Sequence, residues 1–273
     1  MGQSPIFFTQ GAEYSYKGAS SPAIDGVNLS VASGEWVALI GTNGSGKSTL
    51  AKMMNALLIP TRGACLVMGM DTSDPKLAAP IRQNVALVFQ NPDDQIVASI
   101  VEEDVAFGPE NLGLQSEAIR AGVEKALQLT GLSEMRRRGS YSLSGGQKQR
   151  LALAGALAME PKALILDEST SMLDPEGRAS FLGCLRELNE RGITIIQITH
   201  RMEEIVHASR VIVLKSGKIT WSGSPGLFWE GKCAEFGFDA PQELELLRSL
   251  RAGGFVPAGT RPLVNDLLEA LCL

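Results

Sequence analysis

The sequence predicts an α/β fold built on a parallel sheet with crossover helices. Three observations carry that expectation. An apolar run at residues 36–40 feeds a glycine-rich turn and then a helical segment, 47–57. Short apolar runs return at 163–166, 194–198 and 211–214, with a helical stretch, 175–191, between the first two. The segment between these halves, 90–159, is patterned mostly as helix. Apolar runs of this length are strands buried on both faces, and strand–helix–strand order in series calls for parallel pairing.

Taken in order, residues 6–88 read as short strands broken by turns, with the glycine-rich turn and helix 47–57 inside them and a strand near 64–68. The middle segment carries helical patterns at 102–107 and 116–129 and a long helix after Gly145. After Gly223 the pattern loosens, and the chain ends in an apolar helical stretch, 264–271. No fixed-period repeat or low-complexity tract interrupts this plan, which excludes solenoids.

The turn itself reads GTNGSGKST, from Gly41 through Thr42, Asn43, Gly44, Ser45, Gly46, Lys47 and Ser48 to Thr49. In a phosphate loop the glycines let backbone N–H groups curl round an anion, the lysine neutralises the β/γ end and the Ser48 hydroxyl reaches Mg²⁺. A strand before it and a helix after it place a helix N-terminus under the phosphates. Downstream, LILDE (164–168) is a buried strand ending in an acid pair, at the edge where open α/β sheets hold ligands. By itself it could be a strand ending in exposed acids. Behind a phosphate loop, Asp167 is expected to hold Mg²⁺ through water and Glu168 to polarise the attacking water.

LSGGQKQR (143–150) narrows the class. Ser144 can cap the helix that follows, while Gly145 and Gly146 bare backbone N–H groups ahead of Gln147, so the chain has a second phosphate-seeking helix N-terminus. SGG alone could be no more than a structural cap. A threonine–histidine pair, Thr199 and His200, follows the run 194–198. His200 could be a buried histidine at a strand end, but that strand aims it at the phosphate edge.

Composition sets the outer limits. The chain has 273 residues, 44% of them hydrophobic, enough to bury a full core. A formal net charge of −5 argues against a basic nucleic-acid face. No apolar stretch approaches the roughly 20 residues of a membrane helix. The stretch MGQSPIFFTQ has no basic segment ahead of an apolar one, so the expectation is a cytosolic protein. Its four cysteines, Cys65, Cys184, Cys233 and Cys272, have no paired or zinc-like spacing and are expected to be reduced packing residues.

With these motifs in this order and spacing, residues 6–225 resemble an ABC transporter ATPase. The resemblance implies a P-loop NTPase of ABC type: a RecA-like parallel core, an antiparallel β subdomain, a helical signature subdomain at about 91–160 and a C-terminal extension, 226–273. It further implies that Tyr16 stacks on adenine, that Gln90 touches Mg²⁺ and the attacking water, that His200 contacts the γ-phosphate, and that the loop 171–174 crosses to a partner subunit. Two subunits would close over two ATP molecules, each held between the phosphate loop of one and the LSGGQ of the other. Within the family the chain is most similar to ATPases of energy-coupling factor transporters, on the stretch VFQNPDDQIVASIVEEDVAFGPENLGL (88–114), on DESTSMLDPEGR (167–178) and on its tail. That implies uptake of a vitamin or transition metal ion, with a second ABC ATPase subunit, a transmembrane coupling subunit and a substrate-binding membrane subunit as partners, at the cytoplasmic face of the membrane. The tail would help the two ATPases pair. Thr42, Ser169 and Arg201 depart from the family pattern without removing a catalytic group.

Rival readings meet specific obstacles. A soluble ABC ATPase acting on nucleic acid usually carries two nucleotide domains or a long inserted coiled coil, and neither is present. An importer fed by a separate binding protein stays open on sequence. Two features admit two readings each: Asp93 and Asp94 either meet basic residues of a membrane partner or are solvated acids in a turn, and Arg136, Arg137 and Arg138 form a solvated surface or a contact for an acidic partner or headgroups.

Overall fold

The computed structural model describes residues 4–256. The first strands are β1 (Phe7–Tyr14), β2 (Ile24–Val31) and β3 (Trp36–Ile40), and the glycine-rich turn leads from β3 into α1 (Lys47–Met54). Next come β4 (Arg62–Val67), β5 (Met70–Asp71), α2 (Ala78–Asn84) and β6 (Val85–Val88). A helical stretch follows, made of α3 (Val101–Asn111), α4 (Ser116–Leu129) and α5 (Gly145–Ala158). The chain then runs through β7 (Ala163–Asp167), α6 (Pro175–Glu190), β8 (Thr194–Ile198), β9 (Arg210–Lys215) and β10 (Lys218–Gly223) to a later helix, α7 (Gln242–Ala252).

Two sheets result. An antiparallel one has the order β2-β1-β4-β5; the larger has the order β10-β9-β3-β8-β7-β6, parallel from β9 to β6 with β10 antiparallel at its edge. Every residue of β3, β7 and β8 is buried, as their unbroken apolar runs require. Side chains alternate across a strand, so Trp36, Ala38 and Ile40 enter one core with α5 and α6, while Val37 and Leu39 enter another with α1 and the antiparallel sheet. The parallel layer is thus covered on both faces.

Where elements end is decided by tertiary contacts. Helix α1 stops short of the expected residue 57: Asn55 donates its amide to the Val85 carbonyl of β6 at 2.6 Å, and Ala56 turns left-handed at φ 54°. Helix α3 runs longer than expected, and Asp104 on its first turns accepts the N–H groups of Val97 and Ala98 at 2.7 and 2.8 Å, tying down the loop that precedes it. The basic run also divides. Arg136 bonds Glu102 of α3 and Glu124 of α4, both at 2.9 Å, so it staples the helical layer, whereas Arg137 and Arg138 are exposed. Cys65 and Cys184 are thiols whose pKa burial pushes up, to about 12 and about 11, which suits packing residues rather than reactive ones. Cys272 lies outside the described residues.

Packing continues across the expected boundary at 225/226. Phe228, Trp229, Cys233, Leu244, Leu247 and Val256 are buried in the same core as Trp36 and α6, and Arg248 donates to the Trp229 carbonyl at 2.6 Å. The apolar stretch 264–271 lies outside the described residues. Two truncations therefore separate two roles. Deletion from Gly237 onward uncovers Phe228 and Trp229; at roughly 1.5–3 kcal/mol per buried large apolar side chain, losing Leu244 and Leu247 is expected to lower the melting temperature by roughly 5–15 °C. Cutting after Val256 is expected to leave that temperature within about 3 °C, because the described core is untouched. Calorimetry on the two truncated chains checks this, and equal losses would show that the tail beyond Val256 stabilises the fold.

Candidate functional site

The carboxyl ends of four adjacent parallel strands, β3, β8, β7 and β6, carry the phosphate loop, Thr199 and His200, Asp167 and Glu168, and Gln90 in turn. This is the edge where open α/β sheets place ligands, because strand ends and helix N-termini converge there. Each motif is local in sequence; only the order of the sheet brings them together.

The phosphate loop is shaped by its glycines. Gly46 caps α1 with φ 106°, and a Cβ there would lie 2.3 Å from the Ala23 carbonyl oxygen. At Gly41 a Cβ would meet the Leu214 carbonyl oxygen at 2.2 Å. No side chain caps α1, so its first N–H groups are available to an anion. Lys47, only 5% exposed, folds back to donate to the carbonyls of Gly41 and Thr42 at 2.9 and 3.0 Å. Burial pushes its pKa down, and the Glu168 and Asp167 carboxylates oppose that shift. Gly217 donates to the Ser45 carbonyl at 2.9 Å, so the β9–β10 turn clamps the loop from outside.

The acid pair is buried unequally. Asp167 is 9% exposed; burial raises its pKa, a hydrogen bond with Ser48 lowers it, and the neighbouring Glu168 charge raises it again. Glu168 sits in the left-handed region at φ 50°, its N–H bonded to the Ile198 carbonyl of β8 at 3.0 Å. That backbone turn aims its carboxylate at two partners. Gln90 donates Nε2 to Oε2 at 2.8 Å, and His200 Nε2 lies 2.6 Å from Oε1. Tyr16 joins the same side, its hydroxyl 3.1 Å from Thr49 Oγ1 and its ring edge-on to Tyr14. A cavity of about 420 Å³ opens between Tyr16, the phosphate loop including Asn43 and Gly44, Gln90 and Glu168. The sequence-derived residues of this half are thus side by side.

The signature lies elsewhere. Ser144 caps α5 in a capping box: its hydroxyl accepts the Gln147 N–H at 3.3 Å, while Gln147 Oε1 accepts the Ser144 N–H at 2.9 Å. Gly145 and Gly146 line a separate cavity of about 400 Å³ with Met172, Leu173 and Asp174, and no residue lines both cavities. Within one chain the phosphate loop and the signature therefore open onto two separate cavities.

Several contacts around the site were invisible in the sequence. Asp93, at the end of the segment after Gln90, pairs with Lys148 of the signature helix at 2.6 Å, so its partner lies within the chain, whichever reading is given to the exposed Asp94. Gln149, fully buried, donates to the Phe89 carbonyl at 3.3 Å. Behind the acid pair, Glu204 is fully buried among Thr170, Gln197 and Thr199. No short motif marks these contacts, since they join residues up to 60 positions apart.

A phosphate loop on a central parallel strand, an acid pair two strands away, a histidine on the strand between and a separate capped SGGQ helix together define an ATPase of the ABC class. Comparison with known proteins agrees. Residues 24–171 match the family model for "ABC transporter". The chain is 49% identical over 265 residues to the energy-coupling factor transporter ATP-binding protein EcfA1 of Clostridium novyi, covering 95% of each, and 50% identical to the protein of that name from Caldanaerobacter subterraneus, covering 93% of this chain and 92% of that one. Among solved structures, cbiO1 of Clostridium perfringens, described as part of the ABC transporter complex cbiONQ, superposes with a TM-score of 0.79 at 34% identity, over 92% of this chain and 96% of that one. A dimeric post-hydrolysis state of the ATP-binding cassette MJ0796 bound to ADP and Pi gives 0.74 at 28%, over 81% of this chain and 99% of that one. The chain belongs to the ABC transporter ATPase family and is an ATP-hydrolysing subunit of an energy-coupling factor transporter.

Proposed function

We propose that this subunit hydrolyses ATP with Glu168 as the base that polarises the attacking water, and that it does so in a pair of ATPase subunits driving uptake of a vitamin or transition metal ion. The observation that carries this reading is the grip of Gln90 and His200 on the two Glu168 oxygens, which orients one carboxylate beside the phosphate loop. His200 meets Glu168 through Nε2, and in this reading it answers the charge that develops on the γ-phosphate. Lys47, Ser48, Thr49 and the loop N–H groups hold the phosphates, and Tyr16 offers a ring to adenine at the mouth of the same cavity.

The donor set fits Mg²⁺. Ser48, Asp167 and the Gln90 amide oxygen are hard oxygen ligands, and a buried Asp167 already hydrogen-bonded to Ser48 is the arrangement a cation would relieve. Among the described residues no group of three or more His, Cys, Asp or Glu could form an all-protein cage, in keeping with an ion that keeps waters and shares phosphate oxygens. When bound, Mg²⁺ would neutralise charge on the β- and γ-oxygens.

Because the signature and the phosphate loop line separate cavities, completing each ATP site takes a second ATPase subunit, whose Ser144, Gly145, Gly146 and Gln147 counterparts would face this loop. Among the described residues no helix is long and apolar enough to cross a membrane. In this reading translocation belongs to a transmembrane coupling subunit and a substrate-binding membrane subunit, with this chain peripheral at the cytoplasmic face. Co-purification of the tagged chain from detergent-solubilised membranes tests that assembly. Recovery of membrane proteins together with ATP turnover is expected, and recovery of the chain alone would remove it. In the same preparation Tyr16→Ala is expected to weaken ATP binding by only about 3- to 10-fold, since stacking on one aromatic ring contributes about 1 kcal/mol. Titration with a fluorescent ATP analogue measures it.

A further inference from the structure

The Glu204 carboxylate, fully buried, accepts from three donors on two segments, the end of β8 and the turn after β7, with Arg178 Nε 3.9 Å from its Oε1. Gln197 Nε2 and Thr199 Oγ1 donate to Oε2 at 2.8 and 2.7 Å, and Thr170 Oγ1 donates to Oε1 at 2.7 Å. The direction of these bonds is determined by their outer partners. Trp36 Nε1 can only donate, and it donates to Gln197 Oε1 at 3.0 Å, so the Gln197 amide must turn its N–H₂ toward Glu204. Arg201 donates its backbone N–H to Thr199 Oγ1 at 3.0 Å, so that hydroxyl spends its single proton on Glu204. Position 204 therefore has to supply an acceptor, and a carboxylate supplies two oxygens of that kind.

The segments so joined are those that carry the hydrolytic pair. Thr199 precedes His200, and its hydroxyl bridges from Glu204 to Arg201, bracketing the histidine on both sides. Thr170 lies two residues after Glu168, in the turn where Ser171 N–H closes on the Glu168 carbonyl at 3.1 Å. Glu168 itself holds a left-handed backbone that an unsupported turn would relax.

We propose that Glu204 is a positioning residue for hydrolysis: by holding Thr199 and Thr170 together it sets the His200 and Glu168 side chains against each other at reacting distance. It acts through these residues and does not touch the phosphates. The proposal rests on the assignment of Glu168 and His200 to the chemistry, and its consequence is confined to turnover. The phosphate loop and Tyr16 are held by other contacts, so ATP binding is independent of it.

The test is steady-state ATP turnover by the full-length chain in its membrane-derived complex, with KM and kcat separated. Glu204→Ala is expected to lower kcat by about 30- to 100-fold, the cost of a misplacement of order 1 Å, while KM for ATP stays within about 3-fold. Glu204→Gln, which can turn its oxygen to Gln197 and Thr199 and its N–H₂ to the Thr170 hydroxyl, is expected to keep kcat within about 5-fold. Thr199→Val removes one arm without opening a cavity and is expected to lower kcat by about 10-fold, with a melting temperature lower by roughly 2–10 °C because the Glu204 carboxylate and the Arg201 N–H each lose a partner. If Glu204 acts through Thr199, the combined Thr199→Val/Glu204→Ala variant falls short of the product of the single effects, whereas independent damage multiplies. Kcat within 3-fold of the parent in Glu204→Ala, a KM that rises in step with the loss, or multiplicative single effects would overturn the proposal. Should Glu204→Ala fail to fold, normal kcat in Thr199→Val overturns it instead. Glu168→Gln run alongside keeps the two ideas apart, because normal turnover there removes the catalytic assignment whatever position 204 does.

Discussion

Glu168→Gln is expected to keep ATP binding and lose roughly two to four decades of turnover. The carboxylate is held from both sides, by Gln90 at one oxygen and His200 at the other. A glutamine has the same shape and retains one acceptor, so the turn at φ 50° and the bond from its N–H to Ile198 have no reason to change. What disappears is the capacity to take a proton from water. Pre-steady-state and steady-state ATPase assays on the assembled complex, with nucleotide retention measured on the same samples, check it. The expected picture is an ATP-loaded dimer that accumulates; turnover near that of the parent would remove Glu168 from the mechanism.

Lys47→Ala is expected to fail one step earlier, at binding. Two of the three ammonium N–H bonds hold the carbonyls of Gly41 and Thr42, which leaves one directed to the ligand. The substitution thus removes a buried positive charge opposite the phosphates and also two of the bonds that close the loop. Charge-assisted hydrogen bonds contribute about 1.5–3 kcal/mol each, so ATP affinity should fall by about 100-fold or more. Titration with a fluorescent ATP analogue measures this on the scale used for Tyr16→Ala, and the reverse ranking of the two variants would mean that the phosphate and adenine ends are misassigned. Lys47→Arg is not a neutral control, since a planar guanidinium cannot occupy a space shaped for a point charge.

Much of the architecture was legible in the sequence. Helix α4 and strand β8 coincide with the expected 116–129 and 194–198, and β7 and β9 with the expected runs to within a residue or two. The parallel order follows from strand–helix–strand succession. The misses share a cause: the end of α1 is decided by Asn55 reaching β6, and the length of α3 by Asp104 and its loop, contacts that no window of neighbouring residues contains. The tail shows the same limit on a larger scale. Its loosened pattern after Gly223 suggested a separate extension, yet Leu244 and Leu247 complete the core that begins at Trp36.

What the sequence by itself determined is the chemistry that consecutive residues perform. GTNGSGKST and SGGQ take their local shape mainly from residues a few positions apart, through the left-handed Gly44 and Gly46, the Lys47 bonds to Gly41 and Thr42 and the Ser144–Gln147 capping box, to which the fold adds the Gly217 clamp on Ser45. What only the tertiary structure decided is which distant groups meet. Gln90 and Glu168 are 78 positions apart, and nothing in either motif names the other; they touch because β6 and β7 pair in parallel register and end at the same edge. Glu204 is the clearest case. In the sequence it is one of two adjacent acids after His200, indistinguishable from Glu203, which is exposed. Burial alone separates them, because a carboxylate taken out of water has to find donors, and Thr170, Gln197 and Thr199 are where the folded chain provides them.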